Sequence, residues 1–378
     1  MMEPIGEPHL FLIYKDGLKQ ADRILEEIKQ EFIVLNVHDI IWDRQNNFKN
    51  LCRFYTNCKP IIFWKYLRCG GAPLRVILVL DQTPEYMDRV TNAGTEKVNV
   101  HMFDSKKKYR KMMKNGHLVH GSNSQFEFFF NYTMLFGKTP DLTYLKQLPQ
   151  WDGKITRLNV NMPGTHGWKN LAELLQIIEQ TGNSIVLRNF ENLPDSCRLG
   201  KHSDIDILTS APDELVRMLN LKRASSLPFR AIWKTDVAES FVKFDIRSAD
   251  DGYYPPEIVA HLLENKVVNE KKIPVPAGKD YFYSLLYHAL IHKYKVADDY
   301  KKRLTAMAVQ LGCISHQDSD ELPEASLKDI LVAWMNENSF CFSEPKDLTV
   351  HYNKKYTGSV PTSKLRAVKD FFWRFRKG

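Results

Sequence analysis

The chain has 378 residues, 43% hydrophobic, 26% charged and 12% aromatic, which is enough for two or three domains with separate cores and excludes a disordered or collagen-like chain. A formal net charge of +8 and a pI near 9.0 favour anionic partners: nucleotides, nucleic acid or an acidic membrane surface. The opening MMEPIGEPHLFLIY lacks the basic region and long apolar core of a signal peptide. The longest apolar runs, such as Leu10–Tyr14 and Val76–Leu80, fall far below the roughly 18 residues a spanning helix needs.

In chain order, residues 8–14 read as a buried strand, followed by Lys15-Asp16-Gly17 and a helix of period 3.6 through Ala21, Ile24, Leu25, Ile28 and Phe32. FIVLNVHDIIW is a second strand. FKNLCRFYTNC and IIFWKYLRCGG read as helices, the latter stopped by a Gly pair. RVILVLD is a third strand and HLVHGSNS ends a short fourth, before an aromatic helix at 124–136. Residues 141–165, rich in Pro, Gly, Thr and Asp, are expected to be a linker. Regular structure then resumes with the helix WKNLAELLQIIEQTG and the strands SIVLRNF, SDIDIL, FRAIWK and ESFVKFDIRS. The helix APDELVRMLNL lies between the second and third of these strands, and KDYFYSLLYHALIHKYKV opens a helical remainder. The fold class is therefore α/β or α+β. The expected divisions are 1–140, the linker, a second domain at 166–275, and a helical extension at 276–378 with a basic amphipathic tail. Cys52, Cys58, Cys69, Cys197, Cys313 and Cys341 form no CxxC pair, so a reduced, cytoplasmic setting is the expectation.

GKHSDIDIL raises an electrostatic question. Asp204 and Asp206 share one face of a strand whose other face is Ile205 and Ile207, and like charges about 7 Å apart repel. Asp245 is a third carboxylate, set among Val242, Phe244 and Ile246. Oxygen ligands of this kind suit Mg²⁺ or Mn²⁺, and two such ions can clamp an in-line displacement at phosphorus. A solvated strand edge is the plainer alternative.

From about 168 to 250 the element order and the SDIDIL strand resemble the nucleotidyltransferase superfamily related to DNA polymerase β. The resemblance implies Asp204, Asp206 and Asp245 as metal ligands, Asp245 also activating the incoming hydroxyl, with an NTP as substrate. Where the family carries Gly-Ser, this chain has Leu187-Arg188-Asn189. Arg188 is then the candidate to hold phosphate, with Lys201, His202 and Ser203 in the adjoining loop.

Residues 8–138 resemble nucleoside diphosphate kinase, which implies a ferredoxin-like domain. The family's K-P-D-G matches FLIYKDGL at Lys15. Its Y-x-x-S-G-P matches YLRCGGAP at Tyr66, the base-stacking position. Arg89 and Thr95 match its phosphate-holding Arg and Thr. Its N-x-x-H-G-S-D-S matches GHLVHGSNS, giving His120 as the phosphorylated residue and Ser122 as its supporting hydroxyl. Here His117 stands for the Asn and Asn123 for the acidic residue. Arg110 or Lys107 supplies the second phosphate-binding cation, within the basic cluster Lys106–Lys111. A structural His capping the following helix is the alternative for His120.

His288 and His292 lie four apart on one helix, a metal-ligand spacing, but no third ligand is suitably placed and packing is the expected role. The segment from VKFDIRSADDGYYPPEIVAHLL to FYSLLYHALIHK resembles nucleotidyltransferase-like proteins of bacterial surface-polysaccharide clusters. In the tail, Leu365, Val368, Phe371, Phe372 and Phe375 line one side, with Arg366, Lys369, Arg374, Arg376 and Lys377 around it. Such a tail either lies at an anionic bilayer, making the protein peripheral at the membrane, or docks on the protein itself.

These observations lead to an expected Mg-dependent phosphorus-transferring enzyme, moving a nucleotide from an NTP to a small acceptor such as a sugar or polyol phosphate. The alternatives are a metal-dependent glycosyl- or phosphoglycosyltransferase using a nucleotide-sugar, a nucleic-acid-binding or polymerising protein, and a pair of inactive scaffolds. Nucleic acid is disfavoured because no aromatic-interleaved basic groove is visible. A homo-oligomer is compatible with the sequence.

Overall fold

A computed structural model describes residues 6–358, apart from 57–59, 92–93, 196, 198, 201–202, 226–231 and 315–320. The chain divides into two units: Met1–Gln180 with Arg217–Asn220, and Thr181–Val216 with Leu221–Gly378. Both are mixed α/β.

The first unit runs β1 (Glu7–Ile13), α1 (Ala21–Glu31), β2 (Ile33–Ile41), α2 (Asn47–Phe54), α3 (Pro60–Cys69) and β3 (Leu74–Asp81). A hairpin, β4 (Tyr86–Thr91) and β5 (Gly94–Asn99), leads to α4 (Val100–Met112), β6 (Val119–Gly121), α5 (Gln125–Phe136), α6 (Leu142–Gln147), β7 (Ile155–Asn159) and α7 (Leu171–Gln180). The sheet order is β6-β1-β3-β2-β7, antiparallel except for the parallel β2–β7 edge. Residues 9–13 of β1 are fully buried, as a central strand covered on both faces requires. Each such Leu or Ile contributes roughly 1.5–3 kcal/mol by burial. The expected linker is corrected here: Pro- and Gly-rich composition marks the turns around α6 and β7, and β7 is bonded to β2 because that edge was open. The helix expected to begin the second domain, α7, belongs to the first unit and packs its Leu171, Leu174, Leu175, Ile177 and Ile178 stripe inward.

The second unit contains β8 (Ser184–Val186), β9 (Ile205–Thr209), α8 (Pro212–Met218, whose last two residues fall in the first unit), β10 (Lys222–Arg223), β11 (Ile232–Val237) and β12 (Ser240–Arg247). After these come α9 (Pro256–Glu264), β13 (Val267–Val268), β14 (Pro274–Val275), α10 (Gly278–Ile291), α11 (Asp298–Gln310), α12 (Glu324–Glu337) and α13 (Lys354–Thr357). The sheet order is β10-β11-β12-β9-β8, with β12 and β9 parallel. Helix α10 is buried on every side from Asp280 to Ile291, the mark of a central helix, and α9, α11 and α12 pack their apolar faces into the same core. Among the described residues no helix is long and apolar enough to cross a membrane. Cys52 is disulfide-bonded, and Cys69, Cys197, Cys313 and Cys341 are free. The basic tail lies outside the described residues.

Candidate functional site

In the second unit, β9 and β12 run side by side with Asp206 opposite Asp245. Strand alternation turns both carboxylates out of the same face while Ile205, Ile207, Phe244 and Ile246 enter the core. Asp204, one residue before β9, stands exposed on that side.

The repulsion is relieved by two guanidiniums. Arg188, two residues past β8, donates from Nη2 to Asp206 Oδ1 at 2.5 Å. Arg247, two residues along β12 from Asp245, donates from Nη2 to Asp245 Oδ2 at 2.7 Å and is backed by Asp347 at 3.4 Å. All four partners are buried. Arg188 was expected to hold phosphate; in this state it is a counter-ion to Asp206, because β8 pairs with β9 and brings the two together.

Tyr253 ties the two arginines. Its ring lies beneath Arg247 at 4.4 Å, and its hydroxyl accepts from Arg188 Nη2 at 3.2 Å. That hydroxyl lies 2.5 Å from His288 Nδ1. Burial, reinforced by Arg188 and His292, holds His288 well below the usual imidazole pKa, so the ring is neutral and Nδ1 accepts the Tyr253 proton. His288 and His292 are thus buried packing partners of Tyr253, as expected for them.

Burial raises the Asp245 carboxyl; Asp206 adds to the rise and Arg247 opposes it. Asp204 is pushed up to about 6 by desolvation and then by Asp206 and Asp245, an effect tempered by its exposure. Asp245 Oδ1 is buried without a hydrogen-bond partner among the described residues. The donor set is all oxygen, as Mg²⁺ requires, and one buried oxygen is unsatisfied, so the residues fit such an ion in kind. As they stand, no three His, Cys, Asp or Glu side chains among the described residues are grouped to hold a metal. Ser203, a candidate phosphate contact, uses its hydroxyl within the loop, donating to Gly200 O and accepting from Lys243 N. Lys201 and His202 lie outside the described residues.

In the first unit, His120 lies on β6 opposite Leu12 of β1 and is buried. Asn131 Nδ2 donates to its Nε2 at 2.9 Å, Glu127 lies 3.6 Å away, and Phe54 and Tyr55 meet the ring edge-on. Burial, then Lys106, Lys65 and Arg110, holds the imidazole well below its usual pKa. Lys65 and Lys106 are themselves lowered to about 8, chiefly by burial. Lys65 sits over the rings of Tyr14 and Tyr55, and Arg110 donates to Val119 O.

Of the other residues expected near His120, Arg110 contributes to its electrostatic surroundings. Lys15 and Lys107 are exposed, Tyr66 packs against Phe48, and Arg89 and Thr95 lie on the exposed β4–β5 hairpin, where Arg89 donates to Asp88 O. Ser122, expected to support His120, instead receives the Leu10 amide and pairs with His9 Nδ1 at 3.1 Å. Sequence reasoning missed Lys65, Glu127 and Asn131, whereas Lys106 belongs to the basic cluster expected to supply charge near His120. A signal was available for Lys65, which falls on the buried stripe Ile62–Cys69; Lys106 falls on the stripe with Met102, Phe103 and Tyr109.

No protein-family model matches the chain, and neither the curated proteins nor the solved structures yield a match. The functional reading therefore stands on the residues themselves.

Proposed function

We propose that the second unit is a metal-dependent nucleotidyltransferase acting on a small hydroxyl acceptor. The observation that carries this reading is the side-by-side placement of Asp206 and Asp245 on adjacent parallel strands, with Asp204 at the entry to one of them. These three carboxylates would hold Mg²⁺ or Mn²⁺, which when bound supplies charge neutralisation for a triphosphate. Asp245, whose burial raises its proton affinity, takes the proton of the acceptor hydroxyl. Arg247 and Tyr253 fix the Asp245 side of the site, and Arg188 balances Asp206.

The first unit supports a companion reading as a ferredoxin-like, nucleoside-diphosphate-kinase-type domain. Four strands in the order β6-β1-β3-β2, with α1 and α4 as crossovers, favour it, as do the three cations around a neutral His120. A neutral imidazole is the form that can accept a phosphoryl group.

The test is incubation with α- or γ-labelled NTP, Mg²⁺ and candidate sugar or polyol phosphates. Pyrophosphate release that is lost in Asp204→Ala/Asp206→Ala is expected. Full activity in that double variant refutes the reading, and free NDP from a nucleotide-sugar would replace it with glycosyl transfer. Label retained on the protein from the γ position and absent in His120→Ala is the expected result for the first unit.

A further inference from the structure

The first unit holds a cleft of about 620 Å³, formed by the end of α1, the end of β3 and one face of α4. Asp81, His101, Asp104 and Ser105 line it, with Phe32 and Val100 as its apolar part. None of these residues belongs to the aspartate site or touches His120.

The geometry around His101 is built from the interior outward. Asp81 is buried, and its carboxylate accepts from Asn99 Nδ2 at 2.8 Å and from the Thr83 amide at 3.2 Å. His101 Nδ1 lies 3.0 Å from Asp81 Oδ2. A carboxylate only accepts, so Nδ1 carries the hydrogen, and in the neutral ring Nε2 presents its lone pair. The His101 side chain is 39% exposed, while its partner is 4% exposed. Behind Asp81 the network continues through Asn99 to His9 Nε2 at 3.3 Å and on to Ser122. This is why Ser122 serves His9 and not His120. An imidazole oriented by a buried acid, with its other nitrogen open in a concave site, is how binding and proton-transfer sites are built.

The charges lining the cleft select the ligand. Lys108, the cation at its edge, is held by Glu27 at 2.7 Å and Glu31 at 2.6 Å, and Ser105 donates to Glu31. With the ring neutral, the ionisable groups left open, His101 Nε2 and Asp104, are acceptors and sit three residues apart on one face of α4. Anions are repelled and a charged multi-donor is favoured.

We propose that this cleft is a second ligand site that takes the ammonium group of a small amine, donated to His101 and Asp104, with the ligand's apolar body against Phe32 and Val100. The probes are cyclohexylamine, cyclohexanol and cyclohexanecarboxylate, which share a shape and differ in charge. The readout is the ring-nitrogen NMR signal of His101 in the full chain at neutral pH. Cyclohexylamine is expected to move the signal saturably, the alcohol to bind about tenfold more weakly, and the carboxylate to leave it unmoved. His101→Gln should abolish amine binding measured by calorimetry. The surface variant Asp104→Asn, which leaves the Asp81 network intact, should weaken it about threefold. An unmoved His101 signal, equal affinity for the alcohol or carboxylate, or undiminished binding by both variants overturns the proposal.

Discussion

Replacing Arg188 with Met isolates the electrostatics of the aspartate site. The variant keeps most of the side chain's volume and removes the guanidinium that lies 2.5 Å from Asp206. Removing one member of a buried pair leaves the other as an uncompensated charge and costs about 3–5 kcal/mol. Asp206 would then face Asp245 across adjacent strands, with Arg247 the guanidinium left beside the pair. In a unit of this size the loss corresponds to a fall in Tm of roughly 6–20 °C in EDTA. The same change should strengthen divalent-ion binding. A unit positive charge about 6 Å from a divalent ion repels it by roughly 5 kcal/mol at an effective dielectric of about 20, and about a quarter of that is already tenfold in Kd. Thermal unfolding across a Mn²⁺ titration reads both effects, because a ligand that binds the folded state raises Tm by mass action. Wild-type protein is expected to gain a little stability from Mn²⁺, and Arg188→Met much more. Arg188→Met/Asp206→Asn should regain stability in EDTA and lose the enhanced metal response. An Arg188→Met protein as stable as wild type in EDTA, or one whose response to Mn²⁺ is no larger, refutes the argument.

Other consequences follow from buried polar groups. Lys65 is lowered from its ordinary value to about 8, chiefly by burial, so below pH 8 the fold holds a charge it disfavours. The unfolded chain binds the proton more tightly between pH 8 and 10.5, so stability rises with pH across that window. Lys65→Met should therefore be more stable than wild type at pH 7, by about 1–3 kcal/mol after the lost ring contacts are counted, and the gain should vanish near pH 10.5 in urea unfolding. Tyr253→Phe removes the hydroxyl shared by Arg188 and His288 and should cost about 1–3 kcal/mol, measured the same way.

Sequence alone determined the periodic elements and the choice of chemistry-bearing residues. The apolar runs of β1, β2 and β3 and the stripes of α1 and α7 are local patterns, so they could be read without a fold. The pairing of Asp204 with Asp206 on one face follows from strand alternation and needs no tertiary information. Tertiary structure decided the partners. Asp245 became the neighbour of Asp206 only because β12 and β9 are adjacent and parallel, and Arg188 became a counter-ion only because β8 pairs on the other side of β9. The β7 strand was hidden because its exposed edge carries Arg, Thr and Asn, whose composition reads as loop. The cluster around His120 draws Lys65, Lys106 and Asn131 from α3, α4 and α5, and the His101–Asp81 pair draws on α4 and β3. Sequence spacing sets which face of an element a residue occupies; which faces meet is fixed by long-range packing, and these sites exist only where they meet.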